Sequence, residues 1–247
     1  MAGPRLDHVA FGAPDVALPA AVLRGELGGE PRGSGPGGAF VFWQWEFENG
    51  AAIEVIAPDG PPGGFLHRFL DARGPAPHHV TFKVPDIHAA LERARGLGYE
   101  PVGFDDRGPG WIEAFLHPKQ AQGIVVQLAQ SAPEDEQVAR DVPRPPFPET
   151  SVAPERARVV GLRLAARSEE RAIRQWQTLL SGTLRRERRD LVFHWPESPL
   201  RIAVTVQGDA PEGPIALEVA ARRRLALPEG PHPALGLPLV QVEAAAA

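Results

Sequence analysis

An α+β fold built on a duplicated module is what the 247-residue sequence predicts, and three observations carry it. First, Leu6-Asp7-His8-Val9-Ala10-Phe11 is closed later by Ala52-Ile53-Glu54-Val55, and His78-His79-Val80-Thr81-Phe82 by Val125-Val126-Gln127-Leu128. A His on an opening strand is answered by an acid or amide on a closing strand, 46 residues on in one case and 48 in the other. Second, each opening strand runs seven residues past its His into an Asp, Asp15 or Asp86, followed by a helical pattern. Third, strand, cap and helix return after residue 155 without the His.

Each element has a local reason. Asp15 caps Val16 to Leu27, a helix weakened by Pro19 and Gly25. Asp86 caps Ile87, Ala90, Leu91, Ala94 and Leu97, spaced along one helical face and stopped by Gly98. The third copy has Val159 to Ala165 as strand, Ser168 as cap, and Ala172, Ile173, Trp176, Leu179 and Leu180 as its apolar stripe. Seven residues before Ser168 stands Gly161, so the His has gone. Later strands at Leu200 to Val206, Ile215 to Ala220 and Leu239 to Val242 carry no His, and no helix longer than a turn fits between Arg222 and Pro238. The expected organisation is a domain over 1–130 with modules at 4–58 and 76–130, a Pro-rich linker over 131–155, and a degenerate, shortened module over 156–247.

Composition narrows the function classes. A net charge of -5 gives no basic field for nucleic acid or an anionic membrane surface. The absence of Cys removes thiolate metal sites and disulfides. No apolar stretch approaches the roughly 18 residues of a membrane span. The expectation is a cytoplasmic protein acting on a small molecule, with no nucleic acid or membrane partner.

Side chains alternate along strands. His8, Ala10, Ala52, Glu54, His79, Thr81, Val125 and Gln127 therefore share one parity, and their mostly apolar neighbours pack beneath the helices. Four ligand-type groups can converge on one face.

These residues resemble the vicinal oxygen chelate superfamily, which includes glyoxalase I, methylmalonyl-CoA epimerase, extradiol dioxygenases and bleomycin or fosfomycin resistance proteins. The resemblance covers roughly residues 4 to 130. It is most specific over Phe65-Leu66-His67-Arg68-Phe69-Leu70, Gly74, His78-His79, Asp86-Ile87 and Phe115-Leu116-His117-Pro118-Lys119, which are similar to the epimerase and glyoxalase branch. It implies paired βαβββ modules forming an open curved sheet, a glyoxalase-like cup, around a divalent metal held by His8, Glu54, His79 and Gln127. Such a cup closes within one chain or between two copies, so a homodimer is left open.

Two departures bear on chemistry. The branch ends its second module with Glu where this chain has Gln127, and an amide can ligate but cannot act as a base. The epimerases of this branch also use a carboxylate on the third strand of the first module, where Glu46 is the one acid of Phe40 to Glu46. If Asn49-Gly50 is a two-residue hairpin turn, Glu46 pairs with Ile53 and Trp45 with Glu54. Trp43, Trp45 and Phe47 then face the cup as substrate contacts, with Thr81 and Lys119, and Glu46 faces away. A one-residue change of loop length reverses this assignment.

Two imidazoles, a carboxylate and an amide suit Zn, Ni, Co, Fe or Mn. Three readings follow. The leading one is a lyase or isomerase stabilising an enediolate or enolate next to a carbonyl, with Glu54, Glu113 or Glu46 as base. Two histidines with one carboxylate also form the ligand set of non-haem Fe(II) dioxygenases. The third reading is a drug-binding protein of the resistance type, in which the ligand residues are relics. His78 is expected on the helix-facing side.

Overall fold

The computed structural model describes residues 3–108, 110–131 and 145–243. Its first βαβββ module is β1 (Arg5–Gly12), α1 (Ala17–Leu23), β2 (Glu30–Pro36), β3 (Phe40–Glu46) and β4 (Ala52–Pro58). After α2 (Phe65–Arg73), the second comprises β5 (Ala76–Lys83), α3 (Ile87–Gly96), β6 (Val102–Gly108), β7 (Trp111–Leu116) and β8 (Val125–Gln130). The third begins with β9 (Arg158–Ala166) and α4 (Glu169–Ala172), which continues as a π-helical stretch, Ile173–Leu179. It is completed by β10 (Thr183–Glu187), β11 (Asp190–His194) and β12 (Arg201–Val206). β13 (Gly213–Ala220) and β14 (Leu239–Gln241) end the order. The fold is α+β with two mixed sheets.

Two of the three caps act where the sequence places them: Asp86 Oδ1 accepts from the Ala89 N–H at 3.0 Å and Ser168 Oγ from the Arg171 N–H at 3.3 Å. In α1 the capping position falls to Val16, which has no side-chain cap bond, and Asp15, one residue earlier, accepts from the Ala17 N–H at 2.9 Å. α1 is shorter than expected, ending at Leu23 rather than Leu27, because the chain turns through Gly25 to Gly28, the last at φ +69°. α2 was not anticipated: its Gly- and Pro-rich approach reads as a connector.

The eight-stranded sheet has the order β2-β3-β4-β1-β5-β8-β7-β6, and the six-stranded sheet β10-β11-β12-β9-β13-β14. The second order repeats the first six places of the first. Among the described residues it has no counterparts of β7 and β6, and residues 222 to 238 form turns and coil, which is the shortening expected of the C-terminal part.

Compactness does not follow sequence order. One unit combines Met1–Asp7, His79–Val142 and Leu162–Ile215; the other combines His8–His78, Pro143–Gly161 and Ala216–Ala247. In the first unit, Phe82 meets Trp195 edge to face, with ring centroids 4.8 Å apart, and Trp195 Nε1 donates to the Leu180 carbonyl at 2.7 Å. The π-helical stretch turns the buried Gln175 toward the β7–β8 turn, where its Oε1 accepts from Gln122 Nε2 at 2.9 Å. In the second unit, Trp45 meets Phe147 at 5.4 Å and Trp43 Nε1 donates to the Pro146 carbonyl at 3.1 Å. The described part of the expected linker thus packs on β3, while residues 132–144 lie outside the described residues.

Candidate metal centre

The register of β3 against β4 decides which side chains share a face. The connection is a three-residue loop, Glu48-Asn49-Gly50, closed by Phe47 N–H to the Ala51 carbonyl at 3.0 Å, with Gly50 at φ +77°. Glu46 therefore faces Ala52, Gln44 faces Glu54 and Trp45 faces Ile53. This reverses the expectation from a two-residue turn: Trp43, Trp45 and Phe47 point to the opposite face and are buried in core, and Glu46 joins the face of Glu54.

On that face, His8 stands opposite Ala52 and Ala10 opposite Glu54. His8 Nε2 lies 3.6 Å from Glu54 Oε1, and Gln44 Nε2 donates to Glu54 Oε2 at 2.8 Å. Both carboxylate oxygens thus have a neighbour that orients them. One ligand atom from each of His8, Glu54 and His79 lies within 4.8 Å of the others, and all three residues are buried. This set of two imidazoles and a carboxylate, with no thiolate, fits a borderline or hard divalent ion.

The second module carries an acid and amide pair of its own. His79 stands opposite Val125, Thr81 opposite Gln127 and Phe115 opposite Gln127. Gln127 Oε1 accepts from the Thr81 hydroxyl at 2.5 Å, which turns Nε2 toward Glu113 and lets it donate to Glu113 Oε2 at 2.7 Å. Trp111 Nε1 donates to the same oxygen at 2.7 Å. Neither the indole nor the amide N–H can accept a hydrogen bond, so a proton arriving at this carboxyl goes to Oε1. Lys119 sits apart, exposed in the β7–β8 turn, where its N–H donates to His117 Nδ1 at 3.2 Å. Gln44 and Trp111 were not singled out in the sequence.

His78 points to the other side of β5, against Phe69 at 4.9 Å and Phe65 at 5.7 Å between ring centroids. Burial lowers its pKa to about 4, and the charge of Glu54 opposes that only in part. The unfolded chain therefore binds the extra proton at higher pH than the folded one. The His78 contribution is complete above about pH 6.5 and is lost as pH falls toward 4, by at most roughly 3 to 4 kcal/mol at about 1.4 kcal/mol per pKa unit. Urea unfolding between pH 7 and pH 4.5 should show the loss, and His78→Gln should flatten it; equal slopes in both proteins would contradict it.

A family model described as the glyoxalase/bleomycin resistance protein/dioxygenase superfamily matches residues 7–115. The ethylmalonyl-CoA/methylmalonyl-CoA epimerase of Cereibacter sphaeroides is 34% identical over 137 residues, spanning 51% of this chain and 97% of the relative. The chain belongs to this superfamily. The rest of the chain also has solved counterparts in fold for this vicinal oxygen chelate protein. A hypothetical protein from Staphylococcus aureus aligns over 98% of this chain and 99% of its own length, with a TM-score of 0.62 and 8% identity. A variant of 4-hydroxymandelate synthase from Streptomyces coelicolor aligns over 90% of this chain and 72% of its own, with a TM-score of 0.58 and 11% identity. At those identities the likeness is one of fold. No helix among the described residues is long and apolar enough to cross a membrane.

Proposed function

We propose that this chain is a divalent-metal-dependent isomerase or lyase that moves a proton at the carbon beside the carbonyl of a small acyl thioester. The observation that carries the reading is the buried His8, Glu54 and His79 group on a sheet face that also bears an oriented carboxylate, Glu113. The thioester class is supported by the name of the epimerase that matches the N-terminal half.

His8, Glu54 and His79 would hold the ion, Zn, Ni, Co, Fe or Mn; Gln127, expected as a fourth ligand, has its Oε1 accepting from Thr81 and its Nε2 donating to Glu113. When bound, the ion supplies Lewis-acid polarisation of the substrate carbonyl. The base is a residue of the chain itself. Glu54 is committed by His8 on one oxygen and Gln44 on the other. Glu113 has Oε2 fixed by two donors, leaving Oε1 to accept the substrate proton and return it. Glu46, exposed on the same face of β3 as Gln44, is the second carboxylate available to a reaction needing proton transfer from two directions. Thr81 acts through Gln127, fixing which end of the amide meets Glu113.

One observation favours a second reading. Two histidines and one carboxylate, with the Gln127 carboxamide engaged by Thr81 and Glu113, also suit an Fe(II) dioxygenase. Metal-loaded protein incubated with methylmalonyl-CoA in D2O separates the two. Deuterium entering the carbon between the carbonyls faster than in buffer alone, without oxygen uptake, is the expected outcome. Oxygen consumption with phenolic substrates by the Fe(II)-loaded protein, and no deuterium incorporation, would overturn the isomerase reading.

A further inference from the structure

A small cavity in the unit that contains α3 and α4 is assigned no role by the chemistry above. Its volume is about 200 Å³, and it is lined by Leu97, Gly98, Tyr99, Gln120, Arg171 and Arg174. The ligand type follows from the polar groups that line it. Arg171 gives one nitrogen, Nη1, to both carboxylate oxygens of Glu212 at 3.0 Å. Arg174 gives Nη2 to Glu170 at 2.9 Å. A guanidinium has five N–H donors on three nitrogens, so each arginine retains further donors. Gln120 Oε1 is taken by the Glu100 N–H at 3.0 Å, which leaves the amide NH2 as the end that can meet a ligand. Among the described residues, no acceptor is bonded to the Tyr99 hydroxyl or to Gln120 Nε2. The Tyr99 ring is 8% exposed. Burial raises its phenol pKa, and the Arg174 and Arg171 charges pull it back, so both guanidinium groups act on the same hydroxyl.

The lining therefore offers two cations, a phenol and an amide, with no carboxylate among its residues. Glu212 and Glu170 each bond through a single guanidinium nitrogen and hold the arginines without exhausting them. Size narrows the choice. Ligand pockets for drug-sized molecules run to roughly 300–1,000 Å³, and one water takes about 30 Å³, so this cavity suits a small group with a few waters. Tetrahedral oxyanions match planar guanidinium donors in charge and geometry.

We propose that this cavity is a phosphate-group site, separate from the face that carries His8 and Glu54, filled by inorganic phosphate or by the phosphate of a monoester. The site stands on these residues alone and does not depend on the reaction proposed above.

Isothermal titration of the full chain with inorganic phosphate, and separately with AMP, at matched ionic strength tests it. Saturable binding of phosphate or AMP is expected, weakened roughly ten- to hundredfold in Arg174→Ala and less in Tyr99→Phe. Arg186→Ala, which removes an exposed guanidinium paired with Glu169, should leave it unchanged. Arg174 sits on the surface in a single solvent-exposed ion pair, so its removal leaves the fold intact. Equal affinities for phosphate and AMP would identify the free ion as sufficient, and tighter AMP binding would identify a monoester; both support the site. No saturable binding, or binding untouched by Arg174→Ala, overturns it.

Discussion

Replacing Glu113 by glutamine is expected to slow deuterium incorporation into the thioester substrate by about 10²- to 10⁴-fold, the usual contribution of a positioned general base. The substitution keeps size and shape. The new side-chain oxygen can still accept from Trp111 Nε1 and Gln127 Nε2, which now donate to Glu113 Oε2 at 2.7 Å each. Only the capacity to take a proton at Oε1 disappears. Metal content and thermal midpoint should match those of the unsubstituted chain, so the rate is read on a folded, loaded protein. An unchanged rate would remove Glu113 from the base role and direct attention to Glu46.

Much of this was legible in the sequence because it depends on short-range rules. Strand parity placed His8, Glu54, His79, Thr81 and Gln127 on common faces, and the seven-residue spacing from His to cap located three modules from Asp15, Asp86 and Ser168. The third copy's lack of the His was visible in Gly161, seven residues before its cap Ser168. The β3–β4 register was not legible, since the same Asn49-Gly50 pair serves a two-residue and a three-residue loop, and one residue exchanges the faces of Trp45 and Glu46. That error hid Gln44, whose amide orients Glu54. Trp111 was hidden for a different reason: an indole beside Glu113 reads as core until β7 and β8 are set side by side. The compact units were also beyond the sequence, because contacts such as Phe82 with Trp195 join segments more than a hundred residues apart.

The second large effect concerns the ion. His8→Ala combined with His79→Ala leaves Glu54 as the one ligand of the buried trio, and a lone carboxylate bonded to Gln44 cannot hold a divalent ion at micromolar concentration. Imidazole ligands must be neutral to bind, so acidification should also empty the intact centre. Lys119→Ala removes an exposed turn residue and should leave occupancy as it is.

Metal content of protein purified without chelator, compared with the His8→Ala, His79→Ala variant, is the most direct measurement. About one divalent ion per chain in the unsubstituted protein and almost none in the variant is the predicted result. Negligible metal in both, or equal metal in both, would contradict the assignment of His8, Glu54 and His79 as a metal centre.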